Sequence, residues 1–288
     1  MATRVQGLEI YMPNGPGDAV WRAWCQDFHD TLVALGWVQT ADAGQVDIAT
    51  MARPAENAFT GPEMWRMDDA LQATHPVHMR IEYGAGWAAS AGGPTFRFQV
   101  GLQGTNNAGS LVGVSVTAPR TADTGNNFAS TFRNHYASGD SGRLLWYGPY
   151  NPAALAGSAT VFVERTKDSQ GVPTTDGVVC GGHSGAAAYV EQVLRFGGVV
   201  PGAAAFALLV PLLPATVTNV GQDLALSPHF AVLGKWRYLW RLSYKTVDLA
   251  DLAEFDMDYL GAVHHFKSFA TSPVALTGTG NGLAMIWE

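Results

Sequence analysis

The first clear periodicity along the chain lies between Gly17 and Gly36. Trp21, Trp24, Cys25, Phe28, Leu32 and Leu35 recur at three- and four-residue intervals, which places them on one stripe of an α-helix. Arg22, Gln26, Asp27 and Asp30 fall on the other side. Gly17 or Asp18 is placed to cap the start, and Gly36 is placed to end the helix in the left-handed conformation. The pattern predicts one amphipathic helix that must bury a tryptophan-rich face.

After Gly36 the period changes to two. Residues 37–40 read as a short strand and 41–44 as a turn. A second strand is expected where Val46 and Ile48 alternate with Gln45, Asp47 and Ala49. Residues 54–62 read as a polar loop and 64–67 as a third short strand. Over residues 75–83, Val77, Met79, Ile81 and Tyr83 share one face, with His78, Arg80 and Glu82 on the other. Phe96, Phe98, Val100 and Leu102 repeat the pattern, as do Val112, Val114 and Val116. Glycine-rich segments at 84–93 and 101–109 separate these runs. Alternating strands joined by glycine turns predict a mainly β fold, with antiparallel sheets or a β-sandwich and the N-terminal helix packed on the sheet.

Residues 119–127 contain Pro, Asp, Gly and two Asn but no large apolar side chain. They divide the chain into a helix-plus-β region, 1–120, and a β-rich region, 121–288, or else form a connection inside one continuous domain. Beyond them, 144–147 and 160–165 read as strands, 166–177 as an exposed hairpin, and 186–196 as either helix or strand. Residues 230–246 and 283–287 complete the strand-like runs.

Composition narrows the function classes. The 288 residues are 47% hydrophobic and include 9 Trp, yet only 14% are charged, against roughly a quarter in a typical globular chain. So little charge implies that part of the surface is covered by other subunits. A net charge of −7 argues against broad contact with a phosphate backbone, so no nucleic-acid partner is expected. Cys25 and Cys180 are too few for a disulfide framework and fit folding in a reducing compartment. Cys25, on the apolar stripe, reads as a small buried thiol. Residues 1–10 lack the apolar core of a signal peptide. The most apolar run, 203–213, is about half the length of a bilayer span. It reads as core strand and turn, and no membrane insertion is expected.

Several short blocks then stand in order. Gly36-Trp37-Val38-Gln39-Thr40 is followed by Asp42, Gly44-Gln45 and Asp47, then by Glu63, Trp65-Arg66, Asp68-Asp69-Ala70-Leu71-Gln72-Ala73-Thr74 and Pro76. Ile81-Glu82-Tyr83-Gly84, Gly101 and the run from Gly104 to Gly109 complete the series. With the preceding helix, residues 18–113 resemble a family of virion structural proteins of tailed bacteriophages, described as tail or tail-fibre proteins. The resemblance implies a structural component of a tailed-phage particle, placed at the tail or tail tip and assembled in the host cytoplasm. It would be a homo-oligomer in contact with other virion proteins. Alternatives within the same setting are a receptor- or glycan-binding tail protein, a head, neck or decoration protein, and a tail-associated hydrolase.

The chemistry-bearing motifs are weak. Gly182-His183-Ser184-Gly185 approaches a nucleophile elbow, but Ala186 stands where the second glycine is required, so the segment reads as a flexible turn. His75 and His78 would point to opposite faces of a strand, as would His264 and His265, and neither pair predicts a metal site. Asp248, Asp251, Glu254, Asp256 and Asp258 lack the glycine and spacing of a calcium loop; they read as a solvated face or a salt-bridged contact rather than a glycosidase pair. Glycines 101–109 are turn formers without a phosphate-loop signature. No catalytic residue, cofactor or metal ligand is predicted.

Residues 235–245 carry the most distinctive pattern. Trp236, Tyr238 and Trp240 alternate with Arg237 and Arg241, giving a strand one aromatic and one basic face. These five residues are the candidate interface or ligand surface. The aromatic face could stack on a glycan or a single-stranded nucleic acid. The preferred reading is a core strand whose basic face meets the acidic run that follows it.

Overall fold

The computed structural model describes residues 3–7, 10, 11, 17–55, 58–85, 94–113, 120–123, 132–150, 159–167, 172–184, 189–196, 206, 207, 217–219, 224–228, 239–244, 254–259, 262–270 and 280–287. Among them the chain forms one helix and nineteen strands, and the fold is mainly β. Every strand pairing is antiparallel.

The helix α1 (Asp18–Ala34) buries five residues of the predicted stripe, and the sixth, Leu35, is buried at its C-cap. Gly17 caps its start in an extended conformation, without a side-chain hydrogen bond. Its end is a Schellman closure. Gly36 takes φ 87°, its N–H donates to Val33 O at 2.9 Å, and Trp37 N–H donates to Leu32 O at 3.0 Å.

The first sheet runs β3 (Val38–Gln39), β4 (Phe59–Arg66), β5 (His78–Ala85), β6 (Pro94–Gly101), β7 (Arg120–Asp123). The second comprises β1 (Thr3–Gln6), β8 (Phe132–Asp140), β9 (Arg143–Tyr150), β10 (Ala159–Lys167), β11 (Pro173–Ser184), β12 (Tyr189–Arg195) and β13 (Phe206–Ala207), in that order. A short β2 (Ile10–Tyr11) also pairs with β8. The third is β14 (Val217–Asn219), β15 (Leu224–Pro228), β16 (Leu239–Tyr244), β19 (Gly280–Ile286), β18 (Ala262–Ala270), β17 (Glu254–Tyr259).

The helix and the first two sheets share one core. Phe28 of α1 lies 4.5 Å from the Phe96 ring on β6 and 5.4 Å from the Trp146 ring on β9, and those two rings are 5.1 Å apart. Trp24 meets Tyr83 of β5 edge-on at 6.5 Å. The same buried cluster includes Ala137, Leu144, Val161, Val163, Val179 and Phe196 from the second sheet and its margin. Packing therefore runs continuously across position 120, and β7 pairs with β6 inside the stretch read as a connection.

Local departures from the alternation have identifiable causes. No strand forms at residues 45–49, because Asp47 captures the following backbone: its carboxylate accepts Ala49 N–H at 3.0 Å and Thr50 Oγ1–H at 2.9 Å. The strand expected at 64–67 begins at Phe59, inside the expected loop, and its register with β5 shifts between Phe59 and Pro62. β5 starts at His78 because Asp69 and Leu71 close the preceding segment into turns that contain His75. Val112 is exposed outside any strand, since the Thr105–Leu111 bridge and the Asn106 side chain fold residues 105–111 into a closed loop. Val114 and Val116 lie outside the described residues. The undecided run at 186–196 contains the strand β12.

Candidate functional site

Three polar clusters gather the chemistry-bearing side chains, each at a junction between elements. The first lies under α1. Glu63 on β4 is 1% exposed, yet it gathers four donors: His29 Nδ1 at 2.7 Å and Gln39 Nε2 at 3.4 Å on Oε1, Tyr83 Oη at 2.5 Å and Trp65 Nε1 at 3.4 Å on Oε2. A buried carboxylate is tolerated only with such satisfaction. Its hydrogen bond holds the His29 imidazole above its ordinary pKa. Burial, reinforced by Glu63, pushes the Tyr83 phenol and the Cys25 thiol well up. Cys25 is thus kept as an unreactive thiol.

Beside it, His135 of β8 is wholly buried. Its Nδ1 faces Asp27 Oδ2 at 3.1 Å and its Nε2 faces Thr31 Oγ1 at 2.9 Å. Carboxylate, imidazole and hydroxyl stand in the order of a hydrolase triad. Thr31 is only 1% exposed, however, and its hydroxyl also lies 2.8 Å from Asp27 O, so no substrate carbonyl can reach it. Burial drives the His135 pKa down to about 3, leaving a neutral ring. The chain of bonds ties α1 to β8.

The second cluster lines a cleft of about 380 Å³ where the turn after β4 meets the β8–β9 hairpin. Asp68 N–H donates to Ser141 O at 2.8 Å across this junction. Arg165 of β10, 2% exposed, donates to the Asp69 carboxylate and to His75 O. Arg143 of β9 pairs with Asp140 at 3.0 Å and approaches Glu164 at 4.0 Å. Asp69, Asp140 and Glu164 thus face two guanidiniums in the cleft, while Asp68, which also lines it, pairs with Arg66 at 2.7 Å. Their geometry braces three segments against one another.

The third cluster forms a ladder on β17 and β18. Asp256 stands opposite His265, and Glu254 opposite Lys267. His265 Nδ1 lies 2.6 Å from Asp256 Oδ1, its Nε2 3.1 Å from Glu254 Oε2, and Lys267 Nζ donates to Glu254 Oε1 at 2.9 Å. Those bonds hold the Glu254 carboxyl down at about 2 and raise His265 above its ordinary value. Lys267 is 7% exposed, with Nζ 5.2 Å from the Tyr136 ring of β8 and 5.1 Å from the Trp287 ring. Arg4 of β1 reaches the other sheet as well, donating to Trp287 O at 3.1 Å. The two carboxylates sit at opposite ring nitrogens of His265 and cannot converge with it on one metal ion. Among the described residues no group of three or more His, Cys, Asp or Glu side chains is arranged to hold a metal.

The candidate surface read from the sequence is divided by the structure. Trp236, Arg237 and Tyr238 lie outside the described residues. Trp240 and Arg241 are on β16, opposite Pro228 and Ser227 of β15 and opposite Ala284 and Leu283 of β19. Among the described residues the acidic run does not pair with that strand. β19 and β18 stand between β16 and β17, and the described acids Glu254 and Asp256 engage β18 instead. Asp248 and Asp251 lie outside the described residues. Ser184 ends β11 opposite Tyr189 of β12, so strand leads to antiparallel strand, without the helix that a nucleophile elbow requires. His75 is exposed in a turn while His78 is buried at the start of β5.

Comparison with known proteins finds no matching family model, no matching curated protein and no matching solved structure. Among the described residues no helix is long and apolar enough to cross a membrane.

Proposed function

We propose that this chain is a structural subunit of a tailed-phage particle, acting at the tail or tail tip through contacts with copies of itself and with other virion proteins. The proposal begins from the resemblance of residues 18–113 to virion structural proteins. The observation that carries it is the use made of the reactive side chains. Glu63, His135, Arg165 and Lys267 are all buried, and each joins one element of the fold to another. A chain so organised supports an architectural role. Low charge supports it further, because subunit interfaces are depleted of charge at their centres. β7 and β17 end their sheets among the described residues, and sheet edges are natural places for neighbouring chains to pair.

The test measures the native mass of the purified protein by light scattering and looks for the chain by mass spectrometry in gradient-purified particles. A stable oligomer present at a small fixed copy number supports the reading. A monomer absent from particles overturns it.

A further inference from the structure

We propose that His265 is a protonation-controlled latch that holds the β17–β18 edge of the third sheet against β1 and β8 of the second. The inference goes beyond the particle reading and does not rest on it. It starts from a geometric constraint. Both ring nitrogens of His265 lie within hydrogen-bond distance of carboxylate oxygens, Asp256 on one side and Glu254 on the other. Carboxylates only accept, so both contacts are hydrogen bonds only when the ring carries two protons. A neutral ring has one N–H and one lone pair, and the lone pair would face a carboxylate.

The latch reaches the sheet junction through one further link. Glu254 also accepts from Lys267, whose ammonium lies between the Tyr136 ring of β8 and the Trp287 ring that follows β19. Trp287 is fixed in turn by its N–H on His265 O at 2.9 Å and by Arg4 of β1. Among the described residues the charged and titratable groups around the imidazole are Asp256 and Glu254 from β17, Lys267 from β18 itself, Arg4 from β1 and Tyr136 from β8. With the ring protonated, two carboxylates balance the imidazolium and the ammonium. With the ring neutral, the hydrogen-bonded set of Asp256, Glu254 and Lys267 carries one excess negative charge, with Arg4 standing apart on Trp287 O, and one carboxylate loses its partner.

The direction follows from the raised His265 pKa. A group whose folded pKa exceeds its unfolded value stabilises the fold fully below the unfolded value, near 6.5. That contribution is lost as pH rises through the folded pKa. The latch is closed in mild acid and opens on the alkaline side.

The experiment uses the full chain. NMR follows the His265 ring nitrogens through pH, while hydrogen exchange, corrected for its intrinsic pH dependence, follows the β17 and β18 amides. The expected result is a His265 midpoint above 6.5, with protection of those amides falling over the same range. The fall should approach about tenfold per unit by which the midpoint exceeds 6.5. His265→Gln, which keeps a polar amide but cannot carry charge, should abolish the step. A midpoint at or below 6.5, protection that does not change with pH, or the same step in His265→Gln would overturn the proposal. Should the variant fail to fold, the wild-type chain still decides: separate midpoints for His265 and for amide protection overturn the latch.

Discussion

Replacing Glu63 with Gln probes the buried hub under α1 with almost no change of shape. The carboxylate accepts two short hydrogen bonds, from His29 and Tyr83, and two longer ones from Gln39 and Trp65. An amide can place its oxygen toward Tyr83 and Trp65, which leaves its NH2 facing His29 and Gln39. His29 must then become a neutral acceptor, and both short bonds lose their charge assistance. Hydrogen bonds to charged groups contribute about 1.5–3 kcal/mol net, against about 1 kcal/mol for neutral ones. Two such conversions, less the relief of burying a neutral group, give a loss of about 2 kcal/mol. The loss should depend on pH. His29 is raised chiefly by its bond to Glu63, so its stabilisation is complete below about pH 6.5 and disappears as pH rises through its folded pKa. Glu63→Gln should therefore cost more at about pH 6 than at about pH 9. Denaturant titrations followed by tryptophan fluorescence measure both costs, and the His29 ring signal reports its midpoint, which should fall in the variant. Equal costs at the two pH values, or a His29 midpoint that does not move, would refute the reasoning.

Three further outcomes follow from the core and its braces. Phe28→Ala removes a ring that touches both sheets and should cost about 4 kcal/mol in chemical denaturation; a loss under about 1 kcal/mol would mean that the helix does not dock there. Arg165→Met should cost about 3–5 kcal/mol by leaving the Asp69 carboxylate buried without its guanidinium. Adding Asp69→Asn should recover part of that loss, and a strictly additive double-mutant cycle would contradict the pairing. His135 has a folded pKa near 3, so protonation favours the unfolded chain. Stability should fall by about 1.4 kcal/mol per pH unit from this group as pH drops from about 6.5 toward 3, and His135→Asn should lower the measured slope by one proton.

The helix and the strands that carry the shared core were legible because their apolar faces repeat with one period over many residues. Trp21 to Leu35 fix the helix, its buried face and, with Gly36, its end. Val77 to Tyr83 and Phe96 to Val100 fix two central strands. The pattern misled where a short polar side chain could satisfy the backbone locally. The Asp47 side chain accepts one backbone N–H and the Thr50 hydroxyl, and that of Asn106 accepts two backbone N–H groups, so the alternation at Val46 and Ile48 and the valine at 112 do not make strands. A local hydrogen bond defeats a weak period-two signal because two or three alternating residues bury too little surface to oppose it.

The polar clusters were less legible for a different reason. Each is built from residues far apart in sequence. His135 meets Thr31 across 104 positions, and Arg165 meets Asp69 across 96. Alternation assigns Glu82 and His78 to the polar face of β5, yet both are buried, Glu82 in ion pairs with the Arg80 and Arg97 guanidiniums. A charged residue at such a position reads as solvent-facing until its partner is known. The β17–β18 ladder is the informative exception. Glu254 and Asp256 alternate on one strand, His265 and Lys267 on the next, and an antiparallel hairpin sets them directly opposite. The acids were visible in the sequence, but the basic strand at 235–245 drew the pairing toward itself. For the described residues of both runs, β19 and β18 lie between β16 and β17, and cross-strand charge pairing acts between immediate neighbours. An acidic run is therefore best matched to the next strand that can form a hairpin with it, even when a richer basic strand precedes it. Here that rule selects His265, the one partner in the ladder whose charge can change near neutral pH.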